Sequence, residues 1–185
     1  VLKGTLCTLP SSTQIISLNG KSFEEICSEI LKLGEQLNAE KEAMQHVDKA
    51  IARRNKLDSL PKYPRKILSL EWIDPYFSAG HWVPEQIEMA GFHSAIGKKG
   101  EISRVLTIDE IVASEPDVIA VICCGYKIEE NRSFVKTLKT NSEINFLKPF
   151  LSKNVYAFDS DSFFSRPTTR IIEGAEQLRD AILNK

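Results

Sequence analysis

The sequence predicts an α/β fold: a parallel-rich, layered, Rossmann-like lobe preceded by a long linker helix. From residue 65 onward, strand-like and helix-like segments alternate, as they do in α/β proteins. In the middle of this region lies VIAVICC, residues 118–124, a continuous apolar run rich in β-branched residues. Such a run is typical of a parallel strand that is buried on both faces. With 185 residues, the chain is long enough to bury a substantial core.

The N-terminal part divides into a loop and two helices. Residues 1–21 are predicted to form a loop with one strand, TQIISLN, at residues 13–19. Ser22 and Glu25 fit a capping box, which opens the first helix. A second, more polar helix begins after Asn38, and its thin apolar stripe is typical of a helix that bridges two bodies. The first helix carries apolar residues at helical spacing: Phe23, Ile26, Ile30, Leu33 and Leu37.

The segment LDSLPKYPRK, with two prolines, breaks the helical region and marks the main boundary of the chain. We therefore divide the sequence into residues 1–21, a helical linker at residues 22–64, and an α/β lobe at residues 65–185. The elements predicted in the lobe are a strand at 66–73, a helix from Pro84 that ends before Gly91, a helix opened by a capping box at Thr107 and Glu110, the strand at 118–124, a polar helix at 129–138, a strand at 154–161 and an amphipathic helix from Arg170 onward.

Composition and motifs exclude several classes of function. A formal net charge of -1 gives no electrostatic reason to expect nucleic acid as a partner. The four cysteines show no CxxC or Cys/His spacing for a metal, and glycine-rich phosphate loops and a nucleophile elbow are absent. Apolar runs near 18 residues are also absent, so no transmembrane helix is expected. These features favour a protein without catalytic machinery and without an intrinsic cofactor or metal.

Three predicted loops leave the carboxyl ends of the strands, where open α/β sheets bind their ligands. They are DPYFSAGHW, CGYKIEEN and DSDSFFSRPTTR. A concave wall built from aromatic and polar groups suits a large, flat, partly apolar ligand better than a small ion. The aromatic residues of the three loops are Tyr76, Phe77, Trp82, Tyr126, Phe163 and Phe164.

The DPYFSAGHW loop raises the question of why aromatic residues gather where they are hard to bury. Asp74 and Pro75 end the strand and Pro84 starts a helix, so the loop can present His81 and Trp82 with little loss of entropy on binding. We interpret His81 as a hydrogen-bonding or stacking residue, because no second ligand lies at metal spacing. The alternative is that Trp82 packs under the following helix as part of the core.

Four segments carry a resemblance to a known family. They are EWIDPYFSAGHWVPEQIEMAG, EPDVIAVICCGY, VYAFDSDSFFSRPTTRIIEGAEQLRDAI and SLNGKSFEEICSEILKLGEQL. The chain resembles the substrate-binding proteins of ABC importers, in particular the cobalamin (vitamin B12)-binding group and its iron-siderophore-binding relatives. The likeness implies two α/β lobes joined by one long helix, with the ligand in the cleft between them. Residues 1–21 would then be the remnant of a first lobe that is largely missing, leaving half of the cleft.

The resemblance also implies a role without chemistry. The protein would capture cobalamin or a siderophore-like compound and deliver it to an ABC permease, in a periplasmic or extracellular, membrane-associated location. Glu85 is the acidic residue nearest the position expected to dock with the permease. The residues that the resemblance places on the cleft side of the lobe are Tyr76, Phe77, His81, Trp82, Cys124, Gly125, Tyr126, Phe163 and Phe164.

Two other interpretations stay open at this point. The chain could be a truncated, non-transporting homologue that serves as an interaction module, because the stripe that begins with Phe23 and Ile26 would lose its partner surface and drive self-association. Homo-oligomerisation through the N-terminal segment is therefore predicted. An enzyme is the third interpretation, and it would need Cys124, His81 and a carboxylate to meet at the sheet edge.

Overall fold

The computed structural model describes residue 10 and residues 13–184. The part of the predicted N-terminal loop at residues 1–9, which includes Cys7, lies outside the described residues. Within the described residues, none of the helices is both long and apolar enough to cross a membrane. The prediction of a strand at residues 13–19 is wrong: this segment is exposed and forms no strand with any of the described residues. Its end is held instead by the Glu29 carboxylate, which accepts from the backbone N–H of Asn19 at 2.7 Å.

Two helices precede the sheet, as the sequence predicts. Helix α1 spans Phe23–Gln36, and the hydroxyl of its N-cap Ser22 accepts from the backbone N–H of Glu25. Helix α2 spans Glu40–Asp58. Asn38 lies between them with a φ of 52°, a left-handed conformation that ends the first helix. The predicted break near Asn38 is therefore confirmed.

A six-stranded sheet forms the centre of the lobe, in the order β4-β2-β1-β5-β6, with β3 also paired to β1. Pairing is parallel between β1 and β3, β1 and β5, and β5 and β6, whereas β2 pairs antiparallel with both β1 and β4. The parallel-rich α/β lobe is confirmed. The strands are β1 (Lys66–Ile73), β2 (Tyr76–Ser78), β3 (His93–Ser94), β4 (Arg104–Val105), β5 (Val118–Val121) and β6 (Val155–Ala157).

One predicted loop contains a strand. Residues 76–78, which the sequence analysis assigned to an irregular loop, fold back on β1 as a short hairpin, with Ile73 opposite Tyr76 and Leu70 opposite Ser78. The pairing lets the backbone of this segment bond to β1 and removes β1 from the edge of the sheet. The irregular part of the loop therefore begins only after Ser78.

Helices cover both faces of the sheet. The predicted helices are confirmed, and two short ones, α6 and α7, were not predicted because each is only four residues long. Alternate residues of the central strands point to opposite faces. Ile67 and Val118 pack with α2, α3 and α8, whereas Leu68 and Ile119 pack with α4 and α5. The remaining helices are α3 (Val83–Met89), α4 (Ile108–Ala113), α5 (Ile128–Thr140), α6 (Lys148–Leu151), α7 (Ser160–Phe163) and α8 (Ile171–Leu183).

The apolar stripe of α1 is less exposed than predicted. Phe23 and Ile26 are 3% and 1% exposed and belong to the same core cluster as α2, α3 and α8. The Arg54 guanidinium lies over the Phe23 ring, 5.0 Å from its centroid. Ile30 packs partly buried against this cluster, and Leu33 is also partly buried. The predicted exposure is therefore wrong for the start of α1, because the helix packs against α2 and the lobe instead of standing free.

Candidate functional site

A cavity of about 230 Å³ opens at the carboxyl end of the sheet, and we call it the edge cavity. It lies where the hairpin loop, the loop after β5 and the loop after β6 meet. The sequence predicts a ligand site at this edge, since the carboxyl ends of parallel strands lie together. The edge cavity is lined by Glu71, Gly80, His81, Trp82, Val83, Ile122, Cys124, Ser160, Phe164 and Ser165.

The first wall of the edge cavity is a tight turn that places His81 and Trp82. A Cβ atom on Gly80 would lie 2.4 Å from the backbone nitrogen of Ser103, so the close approach of the two backbones requires glycine. His81 adopts a φ of 56°, and its carbonyl oxygen accepts from the N–H of Gly100 at 2.8 Å. The rings of His81 and Trp82 lie 5.8 Å apart. The turn is therefore fixed by the neighbouring segment 100–103.

Trp82 serves both the cavity and the core. Its indole N–H donates to the carbonyl of Phe164 at 3.1 Å, which ties the first loop to the third. The next turn of α3 repeats this tie, because the fully buried Gln86 amide donates to the carbonyls of Phe163 and Ile171 at 3.0 and 2.8 Å. Trp82 is partly buried against the core and also lines the cavity. Its role in ligand binding stays a prediction.

A buried amide positions the second wall. The Asn131 side chain is fully buried; its oxygen accepts from the N–H of Cys123 at 3.0 Å, and its nitrogen donates to the carbonyl of Phe158 at 2.8 Å. The N–H of Gly125 donates to the hydroxyl of Ser165 at 2.8 Å, which connects the loops after β5 and β6. The three loops thus form one hydrogen-bonded unit. A preformed wall of this kind binds a ligand with little ordering cost.

The two neighbouring cysteines differ in environment. Cys124 is exposed at the edge cavity, whereas Cys123 is buried. Burial raises the pKa of Cys123 to about 12, so this thiol stays protonated and does not act as a nucleophile at neutral pH. Among the described residues, no group of three or more His, Cys, Asp or Glu side chains is arranged to hold a metal ion.

The structure brings four of the predicted site residues into the edge cavity: His81, Trp82, Cys124 and Phe164. Gly125 and Phe163 are tied to the cavity wall through backbone groups. Sequence reasoning missed further lining groups, of which Glu71, Ser160 and Ser165 are polar. Glu71 was not predicted as a lining residue because it lies within the strand pattern of residues 66–73. Its position near the carboxyl end of β1 could have indicated that it faces the site.

Tyr76, Phe77 and Tyr126 do not line the edge cavity. The Tyr76 hydroxyl accepts from the Asn141 side-chain amide at 2.8 Å, and its ring lies beside a separate cavity of about 470 Å³. Burial raises the pKa of Tyr76. Phe77 is half-buried in strand β2, opposite Trp72. Tyr126 is partly buried and contacts other aromatic rings. Ligand contact by these three residues stays a prediction.

The placement of Glu85 corrects its expected role. Glu85 is 2% exposed, and its carboxylate accepts from the backbone N–H of Phe23 at 2.7 Å. The other carboxylate oxygen pairs with Arg54 and Lys99, each at 3.0 Å. A carboxylate that is buried and fully bonded does not present its charge to another protein. Glu85 therefore joins α1, α2 and the lobe, and it does not fit an exposed docking site.

The fold of this chain is found in solved structures, although its sequence matches no known family. No protein-family model and no curated protein matches the sequence. Among solved structures, an ABC transporter substrate-binding protein from Listeria monocytogenes aligns with a TM-score of 0.86 at 17% identity, over 100% of this chain and 72% of that chain. The chain has the fold of ABC transporter substrate-binding proteins.

Two other solved structures of this fold differ in the ligand that their descriptions give. Staphylococcus aureus IsdE complexed with heme aligns with a TM-score of 0.81 at 18% identity, over 98% of this chain and 72% of that chain. The periplasmic vitamin B12-binding protein BtuF of Vibrio cholerae aligns with a TM-score of 0.66 at 18% identity, over 92% of this chain and 65% of that chain. At these identities the likenesses show a shared fold, and they do not show which ligand this chain binds.

Proposed function

We propose that this protein is a ligand-binding component of an ABC importer that captures a large, flat, cofactor-like ligand at the edge cavity. The observation that carries the proposal is the position of that cavity. It lies at the carboxyl ends of the parallel strands β1, β5 and β6, and the three loops that line it are joined to one another by hydrogen bonds. The protein works outside the cytoplasm and delivers the ligand to the membrane permease of the importer. Solute-binding proteins of the same fold support this role.

The lining of the edge cavity favours a ligand with both flat and polar parts. Rings come from His81, Trp82 and Phe164, while Glu71 and Ser165 supply oxygen atoms. Solved structures of this fold include a protein complexed with heme, a vitamin B12-binding protein and an Fe³⁺-hydroxamate transport system, and we propose to test these three classes of ligand. A cavity of about 230 Å³ is smaller than the roughly 300–1,000 Å³ that encloses a drug-sized ligand. A large ligand therefore projects from it and needs a second contact surface.

Helices α1 and α2 fit the same proposal. The resemblance implies two lobes joined by a rigid helix, with the ligand held in the cleft between them. Helix α2 is joined to the lobe by ion pairs from Arg53 to Glu173 and Glu176, at 3.0 and 2.6 Å. We propose that residues 22–64 act as this linker and that residues 1–21 belong to the first lobe. An interaction module is not favoured, because Phe23 and Ile26 are buried.

The proposal is tested by isothermal titration of the purified chain with hemin, cyanocobalamin and a ferric trihydroxamate. We expect saturable one-to-one binding of at least one of them. His81→Ala should weaken that binding about tenfold, which corresponds to about 1.4 kcal/mol. His93→Ala is the matched control, because His93 is exposed on β3 and does not line the edge cavity. Absence of binding for all three ligands would contradict the proposal.

Trp82 needs its own variant, because it contributes to both the cavity and the packing. Trp82→Ala should lower affinity and also lower the free energy of unfolding, since the hydrogen bond to the Phe164 carbonyl is lost. Urea unfolding measured beside the titration separates the two effects. If stability falls while affinity is unchanged, Trp82 belongs to the core alone and the ligand wall does not include it.

A further inference from the structure

The edge cavity contains one carboxylate that no cation of the described chain neutralises. Glu71 is the only lysine, arginine, aspartate or glutamate among the described residues that line it. Its side chain is partly buried and accepts a hydrogen bond from the Ser103 hydroxyl. Within the described residues, Glu71 forms no ion pair with a lysine, arginine or histidine. A partly buried carboxylate without a cation favours a positive partner.

Two serine hydroxyls of the edge cavity can only accept further hydrogen bonds. The Ser160 hydroxyl donates to the carbonyl of Ile122 at 2.8 Å. Because a hydroxyl has a single hydrogen, Ser165 must be the donor in the 2.9 Å bond between the two hydroxyls. The Ser165 oxygen also accepts from the backbone N–H of Gly125. Both hydroxyl hydrogens are used within the protein, so each oxygen offers a ligand only a lone pair.

Most N–H donors of the cavity wall are used as well. Each lining residue in the loops after β5 and β6 donates its backbone N–H to a carbonyl of the protein. The indole N–H of Trp82 is bonded to the third loop. The His81 ring is the lining group that can either donate or accept. The lining residues with bonded N–H groups are Ile122, Cys124, Ser160, Phe164 and Ser165.

We propose that the edge cavity is a subsite for a cationic N–H donor, an alkylammonium head group of the ligand, which is bound by Glu71, Ser160 and Ser165. This inference rests on the proposed function and names the chemistry of the group that enters the cavity. The rings of Trp82 and Phe164 in the wall suit a cation, which aromatic faces attract. A carboxylate or phosphate would meet a like charge and further acceptors there. A ligand that carries such groups keeps them outside the cavity.

The Cys124 thiol reports on the charge of the cavity, because it is exposed there and its backbone N–H donates to the Glu71 carbonyl at 3.0 Å. Two thiol reagents, 2-aminoethyl and 2-sulfonatoethyl methanethiosulfonate, carry an ammonium or a sulfonate on the same ethyl chain. In both reactions the thiolate attacks the sulfenyl sulfur, a disulfide forms and methanesulfinate leaves. Peptide mass spectrometry gives the rate at Cys124, and each rate is divided by the rate of the same reagent with 2-mercaptoethanol.

We expect the normalised rate of the ammonium reagent to exceed that of the sulfonate reagent at least about fivefold at low salt. In about 1 M NaCl the ratio should fall below about twofold, because salt screens the carboxylate. Glu71→Gln keeps the shape and can still accept from Ser103, and its ratio should also fall below about twofold at low salt. Glu88→Gln is the matched control: it removes the same charge from an exposed residue outside the cavity and should keep the ratio of the unmodified chain.

Urea unfolding shows whether each variant is folded, and the salt dependence of the unmodified chain tests the inference even if Glu71→Gln does not fold. A ratio near one in the unmodified chain overturns the cation subsite, while binding of hemin, cyanocobalamin or the trihydroxamate leaves the proposed function standing. A high ratio that survives either salt or Glu71→Gln also overturns the subsite, because the preference then does not come from the Glu71 charge. A high ratio that both abolish, without binding of any of the three ligands, supports the subsite and overturns the proposed function.

Discussion

The Glu85 carboxylate is a buried charge with three partners, and replacing it by glutamine tests how the linker is held. The carboxylate joins the start of α1 to α2 and to the segment that carries Lys99. Glu85→Gln keeps the shape but removes the negative charge. The glutamine also brings an NH₂ group, which cannot accept from the Phe23 N–H or face the two cations favourably.

The size of the effect follows from burial. Removing one partner of a buried ion pair costs about 3–5 kcal/mol, because the other charge stays without compensation. Here the side chains of Arg54 and Lys99 are still 23% and 37% exposed, so water solvates them in part. We therefore expect Glu85→Gln to lower the free energy of unfolding by about 2–3 kcal/mol. For a chain of this length, that loss lowers Tm by about 4–12 °C.

The assay is urea unfolding followed by far-UV circular dichroism, with thermal melting as a second measurement. Glu88→Gln is the matched control, because Glu88 is exposed on the same helix and should change stability by less than about 0.5 kcal/mol. If Glu85→Gln is as stable as this control, the charge of Glu85 is not used to hold the linker, and the ion-pair reasoning is refuted.

Three further perturbations probe the site and the sheet. Gly80→Ala should cost about 3 kcal/mol in urea unfolding and abolish ligand binding, because the new Cβ would meet backbone atoms of residues 101–103 at 2.4 to 2.6 Å; a stable, binding-competent variant would contradict this. Asn131→Ala should cost about 2–4 kcal/mol, since it leaves the Cys123 N–H and the Phe158 carbonyl buried without their partner; a loss below about 1 kcal/mol would show that other groups replace the amide. Burial opposes ionisation of Asp117, but hydrogen bonds from the Lys148 ammonium and a backbone N–H outweigh it and lower its pKa. A lowered folded-state pKa gives stability that is present above the unfolded pKa, near 4, and is lost as the pH falls through the folded value. The stability advantage of the unmodified chain over Asp117→Asn should therefore shrink as the pH falls below about 4, and a constant difference down to acid pH would contradict it.

The sequence predicted well those elements whose pattern is local. The capping box before α4, the buried run of β5 and the glycine after α3 all depend on neighbouring residues, and each is confirmed. The box before α1 is confirmed only in part: the Ser22 hydroxyl accepts from the Glu25 N–H, but the Glu25 carboxylate accepts from the N–H of Lys21 and not from that of Ser22. Segment 13–19 has the composition of a strand but pairs with no strand in the described part of the chain, and composition alone does not show whether a partner strand is present. The hairpin strand β2 is short and depends on its pairing with β1, so it was missed.

The candidate site was predicted only in part, for a similar physical reason. Loop aromatics were a sound guide to His81, Trp82 and Phe164. Polar lining residues such as Glu71 were missed because a strand pattern does not show which side chains end at the sheet edge. Glu85 was predicted to be exposed for docking, but it is buried. Its burial depends on how α1 and α2 pack against the lobe, which is a long-range contact that no local motif shows.

The most direct test of the central claim, that ligand binds at the edge cavity, is protection of the Cys124 thiol. Cys124 is exposed and lines the cavity, whereas Cys27 and Cys123 are buried. Alkylation of Cys124 by iodoacetamide is followed by peptide mass spectrometry, with and without a saturating amount of the ligand that binds in the titration. We predict that bound ligand slows alkylation of Cys124 at least about tenfold, because it removes the thiol from solvent. An unchanged alkylation rate while the ligand is bound would contradict the account and place the ligand elsewhere.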